Sequence, residues 1–325
     1  MPRRRPSRAI GPGGRIAARQ RRESRPWQAA TNPMMSSSFA ERNLPRLFPL
    51  PAITFVALLM VFPVIYTAYL SFTNWNLTSG TPMTFVGLRS YARVLAEPRF
   101  LNALARTFVF TIFAVTIEGF LGIAAALILN RAFVGKSAAK LLLLLPLVAT
   151  PVAVGIVFNL FFDPTIGLAN FALQWFGLPP GLWISSAASV IPSLILVDVW
   201  QWTPMITLIV LAGLAGLSDE PVEAARIDGA SEWQIIRWVT IPMVMPVILT
   251  ALILRLIDAL KTFDIIYAMT GGGPGYASET LNIMGFKYSF EYFRMGQSAV
   301  ILVVLFAVVF GCSMAIMRLR SASET

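Results

Sequence analysis

Histidine is absent from this sequence, and cysteine occurs once, as Cys312. Without histidine there is no Ser-His or Cys-His catalysis and no histidine-held haem. With a single cysteine besides, the zinc-site patterns are gone. That cysteine sits inside an apolar run, so no disulfide framework exists. Charge is scarce as well. Asp, Glu, Lys and Arg make up 13% of the 325 residues, about half the share of a soluble domain. Hydrophobic residues reach 56% and the mean hydropathy is +0.70. The class left standing is a membrane protein. The net charge of +10 does not argue for nucleic acid as a partner. Eleven of the 26 basic residues fall in the first 46 positions, and most of the rest flank apolar runs.

A spanning helix needs ~20 mostly apolar residues. Six segments qualify, at about 47–72, 105–130, 139–162, 188–214, 243–269 and 296–317. Their runs are continuous rather than alternating, and lipid admits only helices or closed barrels. The expected fold is therefore an all-α polytopic membrane protein. Residues 1–46, rich in Arg, Pro, Gly and Ser, read as a disordered basic tail held near anionic lipid. Residues 47–318 form the six-span domain, and 319–325 a short C-terminal tail.

Basic residues set the orientation. With the N-terminus in the cytoplasm, 18 lie inside, 6 lie outside, and Arg255 and Lys261 fall within the fifth span. Both termini are then cytoplasmic. The first outer segment runs against this bias, because it carries Arg89, Arg93, Arg99 and Arg106.

On the same reckoning the segment at about 215–242 is cytoplasmic. It interrupts the apolar chain with EPVEAARIDGASEWQ, residues 220–234. Pro221 suits a first helical turn, and Ser218, Asp219 or Glu220 can cap it. Asp219, Glu220 and Glu223 favour the positive end of the helix dipole. Gly229 ends this helix. Ser231 and Gln234 have capping-box spacing for a second one, and Pro242 marks the start of the fifth span. The pattern predicts a helix–turn–helix presented for docking, or an ordinary amphipathic connector.

Polar groups at membrane depth are costly and face protein or a watery cavity. In the fourth span Asp198, Gln201, Trp202 and Met205 share one helix face. Pro204 withholds a backbone donor and frees the carbonyl of Trp200. A carboxylate, an amide and indoles on one stripe suit a sugar, although helix packing around one satisfied aspartate would produce the same stripe. In the fifth span Arg255, Asp258, Lys261 and Asp264 recur every three residues and can pair along the helix. The stripe drifts by ~60° per step, so it does not all face one ligand. Asp258, Lys261 and Thr262 are the pathway candidates there. Glu118 and Asn159 are single polar residues that fit packing better than ligand contact, with Asn159 retained as a pathway candidate.

Two stretches imitate phosphate sites. NRAFVGKS, at 130–137, ends like a phosphate loop, but Asn130 occupies the position of its first glycine and a membrane helix precedes it instead of a strand. Gly271-Gly272-Gly273 lies on the outer side and reads as a helix-ending turn. No nucleotide site remains.

Glu223-Ala224-Ala225, then Gly229, then Val239-Thr240-Ile241-Pro242 resembles the E-A-A-x3-G-x9-I-x-L-P loop of bacterial ABC-importer permeases. Val and Ile stand in place of that pattern's Ile and Leu. FVGLRSYARVL (85–95), DVWQWTPMITLIVLAGL (198–214) and FDIIYAMTGGGPG (263–275) resemble the MalF/UgpA-type carbohydrate permeases, and the likeness runs from about 47 to 318. The resemblance implies a type I ABC importer-like permease subunit in the bacterial inner membrane, forming half the pathway for a sugar or oligosaccharide. It makes 215–242 a coupling (EAA) loop, with Glu223, Ala224, Ala225, Asp228 and Gly229 seated on an ATPase. The implied partners are a second permease subunit, two ATPase subunits that bind ATP and Mg, and an extracytoplasmic solute-binding protein. No cofactor, metal or catalytic residue is expected in this chain. The alternatives are a permease for glycerol phosphate or another polyol derivative, an ion-driven secondary transporter, and a membrane-embedded enzyme using the aspartates of spans four and five.

Overall fold

The computed structural model describes residues 48–323; the basic tail at 1–46 lies outside them. Among the described residues there is no strand: helices joined by turns and loops make up the fold, with one isolated antiparallel bridge between Thr73 and Phe85. The first three helices are α1 (Leu50–Leu70), α2 (Arg89–Leu95) and α3 (Pro98–Asn130). They are followed by α4 (Lys136–Val148), α5 (Pro151–Phe161), α6 (Leu168–Trp175) and α7 (Val190–Ala215). Next come α8 (Glu220–Ile227), α9 (Glu232–Ile235) and α10 (Ile241–Leu260). The last are α11 (Asp264–Thr270), α12 (Leu281–Phe286) and α13 (Met295–Ser323).

Among the described residues five helices are long and apolar enough to cross a membrane, and a bent pair makes a sixth span if its two helices are counted as one. That pair departs from the single helix expected over 139–162: α4 and α5 meet at 96°. The cause is local. Thr150 precedes Pro151, whose ring forces it out of the helical region, and Thr150 adopts φ −68°, ψ 140°. Pro151 then opens α5, where its missing N–H costs nothing.

The fifth span differs in a similar way. α10 stops at Leu260, and the amides of Lys261 and Thr262 turn back to the carbonyls of Asp258 and Ala259. α11 begins afresh at Asp264. At its other end α10 begins at Ile241, with Pro242 in its first turn. A π turn over Ile236–Thr240 joins α9 to α10, so that Glu232–Leu260 is one 29-residue helix. Pro242 offers no amide to the carbonyl four residues back, and a wider turn absorbs that gap.

The core is built on α7, which packs along α3 and also against α10 and α4. Close approach depends on glycine. A Cβ placed on Gly122 would lie 2.8 Å from Ile206 of α7, and one on Gly119 would lie 2.8 Å from Leu252 of α10. Ala126, Ile206, Val210, Val244 and Ile248 form an apolar cluster on one side of this junction. Phe110, Ala114, Leu194, Val197 and Ile266 form a second on the other.

Candidate functional site

Where α3, α7 and α10 meet, three charged side chains are fully buried: Glu118, Asp198 and Arg255. The Nε of Arg255 donates to Glu118 Oε2 at 2.7 Å, and its Nη2 donates to Glu118 Oε1 at 3.1 Å. Nη2 also donates to Asp198 Oδ2. Nη1 reaches Asp258 Oδ2, one turn further along α10, at 3.5 Å. The Trp202 ring centroid lies 5.2 Å from the guanidinium carbon. An arginine fork suits this site because it serves two carboxylates at once in a fixed plane. Asp258 is half-exposed and lies 3.7 Å from the exposed Lys261 Nζ. A line of alternating charge thus leads from the packed core to the surface.

The surface end is a cavity of about 280 Å³ lined by Pro151, Trp202, Asp258, Lys261, Thr262, Phe263, Asp264 and Ile265. Four pathway candidates therefore come together here: Trp202, Asp258, Lys261 and Thr262. The others lie elsewhere. Asp198 is held inside by Arg255 and does not line the cavity. Gln201 is buried and donates to the carbonyl of Ala149 at 3.2 Å, beside the α4–α5 bend. Met205, three residues along α7 from Trp202, is half-buried and not in the lining. Asn159 donates to the carbonyl of Met269, tying α5 to α11. The cavity adds Pro151, Phe263, Asp264 and Ile265, which lie at the two helix breaks and were not among the pathway candidates. Glu118 was legible only as an isolated acid. Its signal was charge balance, because a lone carboxylate at that depth demands a cation.

The cavity joins an indole face, a hydroxyl, two carboxylates and one ammonium. Arg255 is committed to three carboxylates, and Lys261 is shared with Asp258. No unpaired cation faces the cavity among the described residues. The groups present accept and donate hydrogen bonds to hydroxyls, while Trp202 offers an apolar ring face.

The second site is the loop after α7. The Ser218 hydroxyl, and not Asp219, takes the amide of Glu220. α8 closes as a Schellman turn: Gly229 N donates to Arg226 O at 3.1 Å, and Ala230 N donates to Ala225 O at 3.0 Å. Gly229 carries φ +80°, which a side chain resists. Ser231 and Gln234 form the expected capping box. Arg226 bridges to Glu232 at 3.3 Å and joins the two arms. Glu223, Ala224, Asp228 and Gly229 are exposed and Ala225 is half-buried. Ile227 and Trp238 are 86% and 69% exposed. Ile227 on the turn and Trp238 on the π segment beyond it are thus apolar side chains that this chain leaves uncovered.

Residues 96–321 match the family of binding-protein-dependent transport system inner membrane components. The chain belongs to that family. Among the permease's relatives, a probable ABC transporter permease protein of Sinorhizobium fredii is 37% identical over 78% of this chain and 82% of its own. The trehalose/maltose transport system permease protein MalF of Thermococcus litoralis is 36% identical over 77% and 84%. The trehalose transport system permease protein SugA of Mycobacterium tuberculosis is 33% identical over 84% and 87%. Among solved structures, a chain of a bacterial alginate ABC transporter crystallised with an alginate-bound periplasmic protein superposes with a TM-score of 0.75 at 19% identity, covering 86% of the permease and 95% of that chain. The permease is thus a multi-pass membrane protein with the type I ABC importer fold.

Proposed function

We propose that the chain is one permease subunit of an ATP-driven importer for a sugar or oligosaccharide. It forms half of the translocation pathway. A second permease subunit supplies the other half, and two ATPase subunits bind ATP and Mg and hydrolyse the nucleotide. An extracytoplasmic solute-binding protein delivers the solute, and both termini face the cytoplasm of a bacterial cell. The observation that carries the coupling role is the α8 turn, with Glu223, Ala224, Asp228 and Gly229 exposed and Ala225 half-buried. Closure of the ATPases would move this turn and rock the permease halves about a midplane site.

The solute reading rests on Trp202, Asp258, Lys261 and Thr262 around one cavity and on relatives named for trehalose, maltose and sulfoquinovosyl glycerol. A phosphorylated polyol would want unpaired cations, and the pairing of Arg255 and Lys261 speaks against it. The co-purified complex should show vanadate-sensitive ATPase activity that a sugar panel, with its binding protein, stimulates. Gly229→Asn tolerates the left-handed backbone, whereas Gly229→Trp adds bulk at a position open in this chain. Trp should abolish uptake and Asn should retain part of it, with both inserted normally. Normal uptake by the Trp variant would refute the docking role.

A further inference from the structure

The arginines that run against the inside bias have separate fates. Arg99 is used internally: its Nε and Nη2 each donate to the buried Glu279 at 2.7 Å. Arg106 lies within α3, at the edge of the groove between α3 and α7. Arg89 and Arg93, one turn apart on α2, are exposed. Neither guanidinium meets a carboxylate or a carbonyl among the described residues.

α2 has three distinct faces. Ser90 and Val94 are buried, and the Ser90 hydroxyl donates to Thr73 O at 3.0 Å. Tyr91 and Ser71 share a hydroxyl contact at 2.8 Å. These contacts fix α2 to the end of α1. Beside the arginines, Leu88, Ala92 and Leu95 recur at i, i+4, i+7 and are all exposed. Phe85 extends this strip, stacked on Phe72 at 6.2 Å. Phe85 and Leu88 are 70% and 68% exposed.

The depth of α2 follows from α1. Its 21 residues rise about 31 Å, the thickness of the hydrocarbon layer. Tyr66 and Tyr69 stand exposed in its last turns, where an aromatic belt marks the lipid–water boundary. Phe72 and Phe85 sit just past that belt, and the next spanning helix begins at Pro98. A short helix at this level, with an apolar strip beside a basic edge, fits the interfacial plane of a bilayer.

We propose that α2 is a membrane-surface anchor. Its Phe85–Leu88–Leu95 strip enters the outer-leaflet boundary, and Arg89 and Arg93 bind the phosphates of anionic phospholipids. The test uses the co-purified complex in nanodiscs containing phosphatidylglycerol, with a spin label on Ala92→Cys in a Cys312→Ser background. Collisions with oxygen should exceed those with a water-soluble nickel chelate at Ala92, and the reverse should hold for a label on Ser79→Cys. Arg89→Gln/Arg93→Gln should weaken phosphatidylglycerol retention by roughly five-fold per arginine, measured by native mass spectrometry. Nickel-chelate access at Ala92 equal to that at Ser79 overturns the proposal. So does shielding of Ala92 that appears only when the solute-binding protein is added, which would make α2 a protein contact. Unchanged lipid retention in the double variant removes the role of the arginines.

Discussion

Arg255 offers the sharpest test of how the spanning helices are held together. Replacing it with Met keeps roughly the same length but removes five donors. Glu118 and Asp198 would then be left fully buried without a cation. Breaking a buried pair by deleting one partner costs about 3–5 kcal/mol, and two carboxylates lose their partner here. For a protein of this size each kcal/mol moves the unfolding midpoint by about 2–4 °C, so Arg255→Met should lower it by on the order of 10 °C. The measurement is a thermal melt of the detergent-solubilised complex by intrinsic fluorescence. The control neutralises the whole cluster, as Glu118→Gln/Asp198→Asn/Arg255→Met. Replacing a complete buried charge set with neutral groups is often close to neutral in stability, so the triple variant should recover most of the loss. Arg255→Lys should fall between, because an ammonium does not reproduce the fork. A midpoint within 2 °C of wild type for Arg255→Met alone (the lower end of the per-kcal/mol range) would refute the assignment. A triple variant no better than the single one would show that packing, not charge, holds the junction.

Other expectations address the rest of the fold. Gly122→Ala brings a Cβ to 2.8 Å from Ile206; overpacking of this kind costs about 1–3 kcal/mol, visible as a lower melt midpoint, with Gly311→Ala as an unhindered control. Trp202→Ala should depress solute-stimulated ATPase activity far more than basal activity, whereas Gln201→Ala, which breaks a bond to the Ala149 carbonyl, should depress both equally. Ser231→Ala removes the capping box, costs about 1 kcal/mol locally, and should speed amide exchange at Gln234 without moving the global midpoint.

The spanning helices were legible because hydropathy is a long, redundant signal that survives error at either end. Their breaks were not. Hydropathy is the same on both sides of Ala149–Pro151 and of Lys261–Phe263, so six unbroken spans looked natural. Only the backbone restriction before Pro151 hinted at the first break. The loop at 218–234 was readable nearly to the atom, since Gly229, Ser231 and Gln234 act on neighbours a few residues away. Pro242 falls in the first turn of α10, as its place at the entry to the fifth span implied, but the π turn that joins α9 to α10 ahead of it left no mark in the sequence. The charged junction was hidden for the opposite reason. Glu118 and Arg255 are 137 residues apart, and nothing local announces such a partnership. The stripe logic on α7 was sound about sharing a face but silent about which neighbour occupies it, which is why Asp198 and Trp202 part company.

The unbroken Glu232–Leu260 helix has a mechanical consequence. From Glu232, which grips Arg226, to Asp258, which touches Lys261, the axis runs about 39 Å with no loop between. Under the proposed coupling role such an element would behave as a pushrod. A tilt imposed at one tip would then reach the other as a sideways sweep. The π turn at 236–240 and Pro246, which gives the helix no amide, are the places where its hydrogen-bond ladder is loosened.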